Sequence, residues 1–252
     1  MKYFVVSDVH SFYDELMVAL NEKGFEKDNP AHILVVCGDL FDRGDQTVQL
    51  FEFVKELNAQ NRLIYIRGNH EDLLFDCVDE LKKKYTPGRH HFSNGTVKTI
   101  CQFCGQSEWI IHDPASRSQV LDTIQPILDF IDKNCVDYAE IGDYICVHGW
   151  IPTFGHLKDF RDGDKSDWKE ARWSNGMNMW RNPVNRVKGK TIICGHYHCS
   201  WGWSHIRQER KEWPQSNRKD WLKSFEPFID DGIIAIDACT AYSGKMNCIV
   251  IE

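Results

Sequence analysis

The chain has 252 residues, 42% of them hydrophobic and 27% charged, an ordinary globular composition with enough length to bury a real core in a single domain, residues 1–252. A net charge of −7 disfavours long nucleic acid as a partner, because phosphate neutralisation drives that binding; it leaves room for a small anion in one cationic pocket. The apolar stretch in "MKYFVVSDVH" is too short for a signal or membrane segment, so no membrane partner is expected, and ten cysteines without such a segment point to the reducing cytoplasm.

In chain order, "YFVVS" (3–7) predicts a strand. A helix follows over 12–23, with Phe12, Leu16, Ala19 and Leu20 on one face. "HILVVC" (32–37) is a second strand, and 46–59 a second helix presenting Val48, Phe51, Val54 and Leu57. "RLIYIR" (62–67) is a third strand. The segment 71–140 then changes character. It holds a helix over 71–84, a loop at Pro87 and Gly88, a helix near 116–132 containing Pro126, and no convincing strand. It reads as a helical insertion covering one edge of a site.

Four more strands are expected at "YICVH" (144–148), "TIICG" (191–195), "GIIAID" (232–237) and "NCIVIE" (247–252). Residues 156–190 read as a long polar loop with Trp168, Trp173 and Trp180, and long loops in compact domains are often functional. Continuous β-branched strands alternating with helices predict an α/β fold. Cys37, Cys146, Cys194 and Cys248 lie in strand runs and read as small buried hydrophobes. Cys101 and Cys104 in "CQFC" lack the second pair that a zinc site needs.

Five polar motifs fall at strand ends. They are "SDVH" (Asp8, His10), "GDLFDRG" (Asp39, Asp42, Arg43), "GNHE" (Asn69, His70, Glu71), "VHG" (His148) and "GHYH" (His196, His198). In an open α/β sheet the carboxyl ends of the strands converge on one crevice, so distant segments can build one site. Carboxylates, imidazoles and one amide, with no thiolate, suit hard or borderline divalent metals such as Mn, Fe or Zn. The donors are too many for one tetrahedral ion, and a carboxylate shared by two ions accounts for the surplus. Gly38, Gly44, Gly68, Gly149 and Gly195 fit tight turns and close backbone approach at the same places.

These blocks resemble the signature of the calcineurin-like metallophosphoesterases. "GDxxDRG" with "GNHE" is similar to the phosphoprotein-phosphatase branch, which also holds bacterial diadenosine tetraphosphatases. The resemblance spans residues 8–198, and "IDACTAYSGKMNCIVIE" (236–252) resembles the closing strands of that family. It implies a four-layer α/β/β/α sandwich and a centre of two divalent metal ions, manganese first, with iron or zinc as alternatives. It implies that Asp8, His10 and Asp39 hold one ion, and that Asp39 bridges to a second completed by Asn69, His148 and His196. His198 is a further candidate ligand, through the "GHxH" form of the motif.

The implied chemistry is hydrolysis of a phosphomonoester or phosphoanhydride by hydroxide activated between the metals. His70 is the implied general acid, oriented by Asp42, and Arg43 the phosphate clamp. A second phosphate-binding arginine is sought among Arg172, Arg181 and Arg186, with Arg181 preferred. Trp173 and Trp180 could stack a nucleobase or be core aromatics. A phosphorylated protein is the first expected substrate and a dinucleoside polyphosphate the alternative. A non-catalytic binding protein of the same fold is the reading of another class.

Overall fold

Period-two alternation in the apolar runs decides how the layers stack. This is a computed structural model, and it describes residues 1–83, 86–153, 155, 157–212 and 221–252. In β1 (Lys2–Val6), Phe4 and Val6 enter one core and Val5 another. In β2 (His32–Cys37), Leu34 and Val36 follow the first pair while Val35 and Cys37 follow Val5. Successive side chains on a strand point to opposite faces, so a sheet with apolar residues at every position must be covered on both.

The first sheet has the order β10-β1-β2-β3-β4, adding β3 (Leu63–Ile66), β4 (Cys135–Val136) and β10 (Ile249–Ile251). Strands β1 to β4 are mutually parallel and β10 is antiparallel to β1. The second sheet has the order β5-β6-β7-β9-β8, from β5 (Ala139–Ile141), β6 (Tyr144–Cys146), β7 (Thr191–Cys194), β8 (Phe228–Asp230) and β9 (Ile233–Ala235). Val5, Val35, Cys37 and Ile66 of the first sheet meet Cys146 and Ile193 of the second in one apolar layer.

Helices cover both outer faces. Helices α1 (Tyr13–Glu22), α2 (Thr47–Ala59), α3 (Asn69–Lys82), α4 (Arg89–Asn94), α5 (Thr96–Cys104), α6 (Trp109–His112) and α7 (Arg117–Asn134) lie on the side of the first sheet, and all but α4 add buried apolar side chains to its outer core. Helices α8 (Lys165–Ala171) and α9 (Gly176–Trp180) pack on the second through Trp168, Met177 and Trp180. The result is the expected four-layer α/β/β/α sandwich.

Several expectations change in detail. The segment 71–140 ends in two strands, β4 and β5, which carry the chain from one sheet to the other. They are two and three residues long, too short for alternation to register, and they form because β3 and β6 offer open edges. Strand β8 was equally invisible for the same reason. The stretch 156–190 contains α8 and α9, the former capped by the Asp164 carboxylate, which accepts from the Ser166 and Asp167 amides at 2.8 and 3.0 Å. Val48 is 46% exposed, and α2 buries Leu50 and Phe53 beside Phe51, Val54 and Leu57 instead. Lys84, the expected end of the third helix, lies outside the described residues. All ten cysteines are free thiols, and none belongs to a cluster of possible metal ligands among the described residues.

A buried ion network joins the two halves behind the site. Arg172, after α8, donates to Asp72 on α3 at 2.9 Å and also to Asp137 between β4 and β5. Asp72 accepts from Arg67 at 2.7 Å. Removing one member of a buried pair strands the other, at about 3–5 kcal/mol. Arg172→Ala should therefore lower the urea-unfolding free energy by about 3 kcal/mol, and an unchanged unfolding midpoint would show that the network is dispensable.

Candidate metal centre

The strands β1, β2 and β7 turn sharply where they end at the crevice, and those turns are backbone-strained. Asp8, His10, Asp39, Asp42, Arg43 and His196 all have φ between 49° and 78°, a region that costs a residue with a Cβ about 1–3 kcal/mol and clusters at functional sites. The two sheets also approach unusually closely there. A Cβ on Gly195, after β7, would lie 1.8 Å from Ser7 Oγ and 2.1 Å from Asp8 Oδ2, so only glycine lets the ends of β7 and β1 meet.

Five of the segments deliver side chains to one buried centre. Asp8, His10, Asp39, Asn69, His70 and His148 are each at most 4% exposed. Two groups of possible ligand atoms form, His10–Asp39–His70 and Asp39–His148–His196, with Asp39 in both. His10 Nε2 is 3.7 Å from Asp39 Oδ2 and 4.0 Å from Asp8 Oδ1. His148 Nε2 is 3.3 Å from Asp39 Oδ1 and 2.8 Å from Asn69 Oδ1.

Proton bookkeeping tests whether this set fits cations. His10 Nδ1 donates to the Phe41 carbonyl and His148 Nδ1 to the Cys37 carbonyl, both at 2.8 Å. A carbonyl can only accept, so each neutral ring keeps its proton on Nδ1 and turns a bare Nε2 inward. His196 completes the pattern with a ring hydrogen bond to the backbone of Trp173. His10 Nε2 is buried with no hydrogen-bond partner among the described residues. His148 Nε2, Asn69 Oδ1 and Asp39 Oδ1 are acceptors pointed at one another. Such convergence is what a cation reconciles, and imidazoles oriented through their far nitrogen are characteristic of metal ligands.

The charges agree. Burial, then the Arg43 guanidinium, push His10 well below the ordinary histidine range. Burial, then His148, hold His196 down at about 3. Both rings are therefore neutral and free to donate lone pairs. Burial raises Asp39 well above the usual carboxylate range, and Asp8 and Glu71 raise it further, with His70 opposing.

His70 stands at the edge of the centre and is built differently. Its Nδ1 donates to Asp42 Oδ2 at 2.6 Å, leaving Nε2 3.3 Å from Arg43 Nη2. Burial pushes its pKa down, but Asp39 and Asp42 outweigh that and leave it raised. Asp42 is itself held by α5, with Thr96 Oγ1 donating to Oδ2 at 2.9 Å and Thr99 Oγ1 to Oδ1 at 2.7 Å. Arg43 is exposed at the rim.

The outlying candidates fall as follows. His198 is not brought into either group; its Nδ1 meets Ser200 Oγ at 2.6 Å and its Nε2 lies 3.7 Å from Glu212. Arg172 is buried in the network described above, and Arg186 donates to the Trp180 carbonyl while stacking on that ring. Arg181 is exposed at the end of α9. Trp173 is 49% exposed with its ring 5.8 Å from His196, whereas Trp180 is buried against Phe228.

Glu71 was named in its motif without a role, and Thr96, Thr99 and Asp237 were not singled out. Glu71 is saturated, accepting from the Asp39, Leu40 and Gly68 amides and the Tyr65 hydroxyl at 2.6–3.0 Å, and so clips the loop after β2 to the loop after β3. Thr96 and Thr99 had only their i, i+3 spacing on a helix to announce them. Asp237 follows β9 and is pushed to about 7 by burial and then by Asp8. Its signal was available, since "GIIAID" ends a β-branched run in an aspartate just as "FVVSD" does.

A model of the calcineurin-like phosphoesterase family matches residues 1–230. The chain is 37% identical over 161 residues to the asymmetrical bis(5'-nucleosyl)-tetraphosphatase PrpE of Anoxybacillus flavithermus, covering 58% of this chain and 60% of that protein. It is 37% identical over 81 residues to the enzyme of the same name from Bacillus velezensis, covering 30% and 32%. The matched stretches thus span from a third to three-fifths of these relatives. Among solved structures, the cold-active protein-tyrosine phosphatase of a psychrophilic Shewanella aligns with a TM-score of 0.49 at 15% identity, over 100% of this chain and 75% of that one. No helix among the described residues is long and apolar enough to cross a membrane.

Two outcomes follow. His196, held down at about 3, contributes stability to the metal-free protein that is complete above about pH 6.5 and is lost as the pH falls toward about 3; His70, Asp39 and Asp237, whose pKa values are raised, act in the opposite sense. Compared with wild type, His196→Asn should gain stability at pH 5 relative to pH 7, read as the difference between its urea midpoints at the two pH values; a difference equal to that of wild type would show that His196 makes no such contribution. Thr99→Val should lower kcat about tenfold, the scale of an outer support, with metal content and KM unchanged; loss of metal in that variant would mean that the threonine supports the whole centre rather than the Asp42–His70 pair.

Proposed function

Because the chain belongs to the calcineurin-like phosphoesterase family and is therefore a phosphoester-cleaving hydrolase, we propose that it is a two-metal hydrolase of phosphoanhydrides, with a dinucleoside tetraphosphate as its substrate. The observation that carries the catalytic part is the set of buried acceptors converging on Asp39 beside the Asp42–His70–Arg43 row. The relatives named as bis(5'-nucleosyl)-tetraphosphatases support the substrate, moving it ahead of the phosphoprotein that the motifs alone put first. Trp173 supports it too: a half-exposed indole beside His196 offers a face on which a nucleobase can stack.

In this reading Asp8, His10 and Asp39 hold one divalent ion, and Asp39, Asn69, His148 and His196 the other. Bound there, the pair supplies Lewis acidity at the phosphoryl oxygens and lowers the pKa of water. The chain's own residues do the rest. Arg43 at the rim presents its planar donors to the phosphate oxygens. His70 holds a proton for the leaving oxygen, its ring fixed by Asp42, with α5 fixing Asp42 in turn. Glu71 keeps the two metal-facing loops in register. Burial excludes bulk water, which strengthens each of these contacts.

Diadenosine tetraphosphate, a phosphopeptide and an aryl phosphate should be compared with manganese added. The tetraphosphate should show the largest kcat/KM, by about tenfold or more; a preference for the phosphopeptide would restore the protein-phosphatase reading, and no turnover of any of the three would favour a binding protein. On the preferred substrate His70→Asn should lower kcat by about 10²–10⁴ with metal retained, while Asp39→Asn should lose metal and activity together.

A further inference from the structure

Away from the centre, three side chains at the junction of α3 and α4 form a second cluster. Glu80 on α3 and His90 and His91 on α4 each place a possible ligand atom within 4.8 Å of the others. His91 is 0% exposed, and both of its ring nitrogens lack a hydrogen-bond partner among the described residues. An orphaned imidazole in the interior is costly, because each buried polar atom left unmet forfeits its solvation. Its Nε2 points at Glu80 Oε1 from 3.6 Å, too far for a hydrogen bond. It is close to the spacing of about 3.3 Å between two ligands on a tetrahedral ion with bonds of about 2.0–2.1 Å.

A second observation converges on the same place. The Glu80 carboxylate is oriented by its other oxygen, which accepts from the Gly88 amide at 2.7 Å. A Cβ on Gly88 would lie 2.8–2.9 Å from the His90 ring, so in this arrangement the His90 ring folds back against the Gly88 backbone. The two imidazoles lie side by side, with centroids 3.9 Å apart and planes tilted by 41°. Burial, then His90, push His91 below the ordinary range, which leaves it neutral as a ligand must be.

We propose that Glu80, His90 and His91 bind one borderline divalent cation of the zinc class, separate from the centre around Asp39. Two imidazoles and one carboxylate suit that class. The exposed His90 marks the side from which the ion enters and where solvent fills the fourth position. The ion ties the end of α3 to α4. Gly95 joins α4 to α5, whose Thr96 and Thr99 hold Asp42. The site therefore braces the segment that supports His70 without touching substrate.

The test uses the full chain equilibrated with zinc, with metal content and melting temperature as readouts. Wild type should retain one equivalent more than His90→Gln, a substitution at an exposed side chain, and one more than His91→Asn. In Asp39→Asn, where the main centre is disabled, zinc should still raise the melting temperature, and adding His90→Gln should abolish that rise. Equal zinc content in wild type and His90→Gln, or a zinc-induced rise in Asp39→Asn that survives His90→Gln, would overturn the site. Neither readout depends on which phosphate compound is hydrolysed.

Discussion

The Asp39 carboxylate lies in the interior among other acceptors, and the rest of the structure is arranged around that imbalance. His10 and His148 turn lone pairs toward it, with Asp8 and Asn69 set against those two rings, and burial raises its pKa rather than lowering it. A protein core cannot hold several bare acceptors face to face without a positive charge between them. This geometry is the ground for proposing that cations bind there.

That geometry explains the odd features nearby. Histidines spend their outer nitrogens on the carbonyls of Phe41 and Cys37 so that their inner nitrogens stay bare. Turns at Asp8, His10, Asp39 and His196 accept left-handed backbone so that their side chains point inward. Glu71 uses a whole buried carboxylate to tie two loops together. The supporting groups come from different layers, with α5 holding Asp42 and the stretch after α8 supplying both Arg172 and Trp173.

The helices between β3 and β4 consequently have a mechanical part. Thr96 and Thr99 connect them to Asp42 and through it to His70, and the Glu80–His90–His91 cluster lies at their other end. One continuous stretch of chain thus runs from the proposed zinc site to the imidazole at the rim of the centre.

Much of this was legible in the sequence. The β-branched runs predicted the long strands, and the glycine-flanked acidic and histidine motifs after them predicted Asp8, His10, Asp39, Asn69, His148 and His196 as neighbours. Those signals survive in one dimension because strand ends in such a fold converge by topology, and because a turn at a crevice demands particular residues. Strands β4, β5 and β8 were not legible, since their two or three residues sit in no longer β-branched run, unlike β6, β9 and β10, and their pairing depends on an edge supplied from elsewhere. Nor were the roles of Thr96, Thr99 and Glu71, which rest on hydrogen bonds across 3 to 57 positions. Val48 and Trp180 show the same limit: periodicity names a face or an aromatic, and only packing says whether it meets the core or solvent. The sequence by itself determined the strands that lie within β-branched runs, the family resemblance and the residue types gathered at the site. Tertiary structure alone decided which nitrogen of each histidine faces inward, because that choice belongs to the carbonyl that happens to lie behind the ring.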